Sequence, residues 1–111
     1  MQWIPLENEA QLARIKEQSA NRPQVILKYS TRCSISAVAK NRLDKGNLPE
    51  TIDFHFLDLL AWRSLSNKIA EDFRVYHESP QVLLIKNGQC VYNESHLSID
   101  PDELLGKAVE H

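Results

Sequence analysis

Residues 25–43 of this 111-residue chain read VILKYSTRCSISAVAKNRL, and they predict a strand, a loop and a helix in that order. The run from Gln24 to Tyr29 is rich in β-branched and aliphatic residues, which is typical of a strand buried on both faces. After Cys33, apolar residues recur at helical spacing as far as Gly46, where we expect the helix to end: Ile35, Val38, Ala39 and Leu43. The spacing therefore places Cys33 at the start of a helix.

This position predicts that Cys33 is a reactive thiol. The first backbone N–H groups of a helix have no partner within it, and the helix dipole is positive at that end, so a thiolate is favoured there. We expect the N–H groups of Ile35 and Ser36 and the Ser36 hydroxyl to stabilise this thiolate. Arg32 would add positive charge, and Ser34 is also assigned to the residues that stabilise the thiolate. The alternatives are a small buried cysteine, a merely solvated arginine and an ordinary serine in the first helical turn.

The rest of the chain alternates between strand and helix patterns. Asn8 is expected to cap the first helix, Asn87-Gly88 predicts a two-residue hairpin turn, and Asp100-Pro101 is typical of a helix start. The predicted strands are 3–6, 24–29, 51–60, 81–85 and 89–92, and the predicted helices are 8–21, 33–46, 62–73 and one that begins at 100. The order βαβαβαββα predicts an α/β fold with a mixed central sheet and helices on both faces.

Some side chains are placed by these patterns. In the strand at 51–60, Phe54 and Phe56 alternate with the polar His55. Trp62, at helical spacing with the apolar residues of the third helix, is expected to pack in the protein core. In the hairpin, Cys90 is expected to lie opposite Ile85 among apolar neighbours, which indicates a structural thiol. The alternative is that Cys90 serves as a slow disulfide partner or sensor.

Composition and charge limit the function. The chain is 42% hydrophobic and 25% charged with a net charge of −2, so we expect one globular domain over residues 1–111 and no affinity for nucleic acid or membranes. The N-terminus lacks the pattern of a signal peptide, and two cysteines are too few for a disulfide framework, so we expect a cytoplasmic protein. The four histidines lack metal-ligand spacing, and no metal site is expected: His55, His77, His96 and His111.

Several motifs together resemble a known family. The order of elements, the Cys33–Ser36 motif and Ser79-Pro80 before a hairpin strand resemble the thioredoxin fold. Within that fold, YSTRCSIS, SNKIAEDFRVYHESPQVLLIKNG and ESHLSID are similar to the bacilliredoxin family of the YtxJ type. The chain departs from these patterns twice. Ser34 stands where the family usually has proline, and Leu27 stands where thioredoxin keeps a buried acid.

The resemblance implies a monothiol thiol-disulfide oxidoreductase that removes bacillithiol from bacillithiolated proteins, with Cys33 as nucleophile and Ser36 in place of a second cysteine. It implies that Pro80 is cis and faces Cys33, and that Thr31, Ser79 and Pro80 contact the substrate. Bacillithiol, a low-molecular-weight thiol, would be a cosubstrate, and no bound cofactor or metal is implied. The alternatives are a non-catalytic stress or adaptor module that binds extended peptides and a glutathione-dependent monothiol glutaredoxin.

Overall fold

Five strands and four α-helices alternate along the chain, as the computed structural model of residues 2–110 shows. The strands are β1 (Trp3–Pro5), β2 (Gln24–Tyr29), β3 (Asp53–Asp58), β4 (Gln81–Lys86) and β5 (Gln89–Ser95). The helices are α1 (Glu9–Gln18), α2 (Ser34–Lys45), α3 (Arg63–Phe73) and α4 (Pro101–Ala108), and a 3-10 turn covers His96–Ser98. The predicted element order is confirmed.

All five strands form one mixed sheet in the order β1-β3-β2-β4-β5. The pairs β1–β3 and β3–β2 are parallel, whereas β4 runs antiparallel to both β2 and β5. Lys28 near the end of β2 pairs with Gln81 at the start of β4. The loop that follows β2 and the segment that precedes β4 therefore lie at the same end of the sheet.

Two hydrophobic cores cover the two faces of the sheet. Alternate residues of β2 enter different cores, because successive side chains of a strand point to opposite faces. Val25 and Leu27 pack with residues of α2 and α4, whereas Ile26 packs with residues of α1 and α3. This arrangement explains the almost uninterrupted burial of β2 and confirms the predicted α/β architecture with helices on both faces.

The predicted caps and hairpin are present. The Asn8 side chain accepts a hydrogen bond from the backbone N–H of Gln11 at 2.8 Å, and Pro101 is the first residue of α4. In the hairpin, Asn87 and Gly88 both have positive φ, 53° and 75°, as a type I′ turn requires. These local signals act within a few residues, which is why the sequence alone reveals them.

Three side-chain placements expected from the sequence are wrong. His55 is buried rather than on a polar face, because β3 lies between β1 and β2 and both of its faces are covered. Its Nε2 atom lies 2.8 Å from Oε1 of Gln24, and burial lowers the pKa of His55 to about 4. Trp62 is 40% exposed because it precedes α3 as its N-cap, and Val38 is 43% exposed on the outer face of α2.

Gly46 ends α2 as expected, but for a different reason. Its φ is −80°, a value that any residue adopts, and the positive φ of 51° belongs to Asn47. A Cβ atom on Gly46 would lie 2.4 Å from Cβ of Pro101. The glycine therefore provides the space in which the start of α4 packs against the end of α2.

No helix within residues 2–110 has the length and apolar character needed to cross a membrane.

Candidate active site around Cys33

The loop between β2 and α2 is held by backbone hydrogen bonds. The N–H of Cys33 donates to the carbonyl of Ser30 at 3.1 Å, and the N–H of Arg32 donates to Oγ of Ser30 at 3.2 Å. The N–H of Ser30 in turn donates to Oγ of Ser36 at 3.1 Å, and Ser36 is completely buried. Ser36 thus joins the end of the strand to the first turn of the helix.

Cys33 is the N-cap residue of α2 and is partly exposed to solvent. The pKa of its thiol is lowered, chiefly by the backbone N–H of Ser36, then by that of Ile35 and more weakly by the Ser36 hydroxyl, while slight desolvation opposes them. These donors favour the thiolate because a negatively charged sulfur accepts hydrogen bonds better than a neutral thiol does. The electrostatic setting is that of a reactive cysteine.

The other two residues assigned to thiolate stabilisation are not among the causes that lower the pKa of Cys33. Arg32 is exposed in the loop, and its charge is not among the causes that lower the pKa of Cys33. Ser34 is the first residue of α2 and is exposed. The helix start therefore carries most of the effect.

Ser79 and Pro80 stand at the same end of the sheet as the Cys33 loop. The peptide bond between them is cis, as the sequence predicts from the resemblance. Pro80 is buried, and its carbonyl accepts a hydrogen bond from the N–H of His96 at 2.9 Å. Because β4 begins beside the end of β2, the Ser79–Pro80 segment and the loop before α2 lie at the same end of the sheet.

A groove of about 230 Å³ opens beside the thiol, and we call it the Cys33 groove. Its lining residues come from the end of β2, the loop and one face of α2: Tyr29, Ser30, Thr31, Cys33, Ala37, Lys40, Asn41 and Asp44. Thr31 is among them as a predicted substrate contact, whereas Ser79 and Pro80 are not. The sequence analysis missed Lys40, Asn41 and Asp44, although their spacing from Ala37 places all four on one helix face.

The sequence analysis also missed a buried lysine on the other side of the sheet. Lys28 is fully buried, and its Nζ donates to the carbonyl of Ser66 at 3.0 Å and lies 3.4 Å from Nδ1 of His77. Burial lowers the pKa of Lys28 to about 8 and also lowers the pKa of His77. The sequence did contain a signal for this buried lysine, since Lys28 lies within a strand that is predicted to be buried on both faces.

Cys90 lies at the opposite end of the sheet from Cys33. It pairs with Ile85, which pairs with Gln24 at the start of β2, whereas Cys33 follows the end of β2. Five steps along β2 span about 16 Å, far beyond the roughly 7 Å limit between the Cα atoms of a disulfide. Burial raises the pKa of Cys90, and its thiol donates to the carbonyl of Tyr92 at 3.3 Å.

Residues 2–110 contain no group of three or more His, Cys, Asp or Glu side chains that could hold a metal ion. Nε2 of His96 lies 2.8 Å from a carboxylate oxygen of Glu78, a surface contact at which both side chains are about half exposed. His111, which was also considered as a metal ligand, lies outside the described residues.

The sheet order, the cis Ser79–Pro80 bond and the thiol at the start of α2 define a thioredoxin-fold protein. More narrowly, the chain belongs to the monothiol bacilliredoxin family BrxC, whose sequence model matches residues 4–104. The family predicted from the sequence motifs is confirmed.

Solved structures agree with this assignment. A protein provisionally described as an oxidoreductase with a thioredoxin fold is 33% identical, with a TM-score of 0.84 over 97% of this chain and 94% of its own. Thioredoxin of Schistosoma mansoni is 19% identical, with a TM-score of 0.78 over 97% of this chain and 96% of its own. Thioredoxin of Fasciola hepatica is 15% identical, with a TM-score of 0.75 over 94% of this chain and 97% of its own. The two thioredoxins show the fold, and the family supports a bacilliredoxin-type thiol redox function.

Proposed function

We propose that this protein is a thiol-disulfide oxidoreductase that removes bacillithiol from protein mixed disulfides, with Cys33 as the nucleophile. The observation that carries the proposal is a partly exposed thiol at the start of α2 whose pKa is lowered by the N–H groups of Ser36 and Ile35. Membership of the monothiol bacilliredoxin family supports the choice of bacillithiol as the cosubstrate.

The reaction proceeds by two thiol-disulfide exchanges. The Cys33 thiolate attacks the bacillithiol sulfur of the mixed disulfide, a bond forms between these two sulfurs, and the protein thiolate leaves and takes a proton from water. A second bacillithiol thiolate then attacks the bacillithiol sulfur now bound to Cys33. This step releases bacillithiol disulfide and regenerates the Cys33 thiolate, so the protein sulfur is reduced to a thiol and the one free bacillithiol is oxidised.

The second exchange needs an external thiol because the chain offers no neighbouring cysteine. Ser36 occupies the position at which a second cysteine could resolve the intermediate, and its hydroxyl cannot form a disulfide. Cys90 is about 16 Å away along the sheet by strand geometry. The positions of these three residues support a monothiol cycle.

The surrounding residues have separate roles in this proposal. Ser36 and Ile35 stabilise the leaving and attacking thiolate through their N–H groups, with Ser34 and Arg32 as exposed neighbours. The backbone of Ser79, ahead of cis Pro80, pairs with an extended segment of the substrate protein. Thr31, on the lining of the Cys33 groove, contacts the substrate from the other side. A reducing compartment such as the cytoplasm suits a cycle that begins and ends with a free thiolate.

The test is an assay with a bacillithiolated protein and a matched glutathionylated control. We expect the wild-type chain to release the free protein thiol from the bacillithiolated substrate and to carry one bacillithiol on Cys33, as intact mass would show. Cys33→Ser should abolish both effects. Reaction with the glutathionylated protein alone would indicate a glutaredoxin, and an inert Cys33 with retained peptide binding would indicate an adaptor.

A further inference from the structure

The Cys33 groove carries paired charges close to the thiol. Ala37, Lys40, Asn41 and Asp44 form one face of α2, and 11 residues at 1.5 Å each place Asp44 about 16 Å along the helix axis from Cys33. Because the side chain of Ala37 is only a methyl group, it leaves space for a ligand on this helix face next to the Cys33 sulfur. A small molecule bonded to Cys33 would therefore lie along α2 towards Lys40 and Asp44.

The two charged side chains are held in place by Trp3. Nζ of Lys40 lies 3.3 Å from Oδ2 of Asp44 and 5.4 Å from the centre of the Trp3 ring, and Nε1–H of Trp3 donates to Oδ1 of Asp44 at 2.5 Å. The Trp3 ring packs edge-on against Phe54 and Phe56, with centroids 5.7 and 6.4 Å away. The charged pair is thus fixed by a strand that is remote in sequence.

Both charges keep free hydrogen-bonding capacity. The side chains of Lys40 and Asp44 are 32% and 41% exposed. An ammonium group has three donors and a carboxylate about four acceptor positions, so the Lys40–Asp44 contact and the Trp3–Asp44 bond leave about two donors and two acceptor positions available. The groove therefore presents a cation and an anion side by side to a ligand.

We propose that the Cys33 groove binds the low-molecular-weight thiol, and that Lys40, held by Asp44 and Trp3, selects thiols that carry a carboxylate. The inference rests on the function proposed above and deepens it. The ligand sulfur faces Cys33 and the ligand carboxylate binds Lys40, whereas Asp44 holds the Lys40 ammonium in the groove. Cysteine, glutathione and bacillithiol all carry a carboxylate, whereas neutral and purely cationic thiols lack the group that binds Lys40.

The test uses small symmetrical disulfides, each of which reacts in one balanced exchange. The Cys33 thiolate attacks one sulfur, a mixed disulfide forms, and one small thiolate leaves. The probes are bacillithiol disulfide, oxidised glutathione, cystine, cationic cystamine, anionic 3,3′-dithiodipropionate and neutral hydroxyethyl disulfide. Rates are measured by mass spectrometry for the full chain and for three variants: Lys40→Met, Lys40→Arg and the control Lys45→Met. Lys45 is exposed on the same helix and does not line the groove.

The ratio of variant to wild-type rate for each probe cancels the intrinsic reactivity of that disulfide. We expect Lys40→Met to slow the carboxylate-bearing probes about three- to fivefold, the size expected for an exposed ion pair, to leave the neutral probe within twofold, and not to slow cationic cystamine. Lys40→Arg should restore most of the rate, and Lys45→Met should change none. Ranking of bacillithiol disulfide, oxidised glutathione and cystine then identifies which carboxylate-bearing thiol fits best.

Other outcomes separate the two proposals. If every probe reacts with Cys33 but Lys40→Met slows all of them equally or none of them, the selectivity assigned to the groove is wrong while thiol exchange at Cys33 stands. If no disulfide reacts with the wild-type chain, the proposed function itself is wrong, and the groove loses its role with it.

Discussion

Gly46 gives the sharpest test of how the end of α2 packs against α4. In Gly46→Ala, the new Cβ atom would lie 2.4 Å from Cβ and 2.8 Å from Cγ of Pro101, whereas carbon atoms pack best at about 3.5–4.0 Å. The proline ring is rigid and begins α4, so one of the two helices must move. Such overpacking costs about 1–3 kcal/mol. Because the φ of −80° suits alanine, about 0.4–1 kcal/mol is recovered from the unfolded chain. The expected net loss is about 1–2 kcal/mol.

Gly106 provides a matched control for the same substitution. It lies inside α4, and within residues 2–110 no heavy atom beyond its chain neighbours and the nearby backbone of its own helix would come within 4 Å of its added Cβ. Gly106→Ala should stabilise the protein by about 0.5–1 kcal/mol, because glycine is unfavourable in a helix interior. Urea unfolding of both variants and the wild type would measure these changes as shifts of the midpoint at constant slope.

The two variants should move in opposite directions. A Gly46→Ala protein as stable as the wild type would show that α4 does not approach α2 as closely as described, and the spatial role of Gly46 would be refuted. The rate of Cys33 alkylation provides an internal check. It should be the same in both variants, because Cys33 lies at the other end of α2, about 20 Å from Gly46 by helix geometry.

Three further outcomes are expected. Ser36→Ala should raise the pKa of Cys33, because it removes the hydroxyl that favours the thiolate; iodoacetamide rates measured against pH would show this, and an unmoved inflection would contradict it. His55 should contribute a loss of about 3 kcal/mol of stability as the pH falls from 6.5 towards 4, because its pKa is lowered to about 4 in the fold and the unfolded chain binds the proton first. Urea unfolding of His55→Gln should show a smaller loss over that range, whereas the exposed-site control His96→Gln should keep the wild-type loss. Cys90→Ser should leave both alkylation of Cys33 and turnover of a bacillithiolated protein nearly unchanged, and a large drop in turnover would assign Cys90 a resolving role.

Much of the fold could be predicted because its signals are local. Asn8 and Asp100 cap their helices within three residues, and the Asn87-Gly88 turn fixes the hairpin on its own. Cys33 at the start of α2 follows from helical periodicity. Burial was harder to predict, because the polar His55 lies on a strand whose neighbours on both sides come from distant parts of the chain.

The missed part of the candidate site depends on contacts that periodicity does not report. Lys40 and Asp44 read as an ordinary exposed pair on a helix until Trp3, 37 residues before Lys40, is brought against them by the pairing of β1 with β3. The contact of Lys28 with His77 likewise depends on how the segment before Pro80 folds over the sheet. Gly46 shows the converse case, since the sequence identified the helix end correctly while the reason was a tertiary contact.

Leu27 removes one candidate proton acceptor from the core beneath α2. It is completely buried in the core beneath α2, and the buried members of that core are all hydrophobic. Lys28, the neighbouring ionisable residue, points into the other core, with its ammonium against Ser66. With an aliphatic side chain where thioredoxin has an acid, we expect Cys33 to exchange its proton with bulk water. Its alkylation rate should therefore follow a one-proton curve rather than the two overlapping steps of a coupled pair.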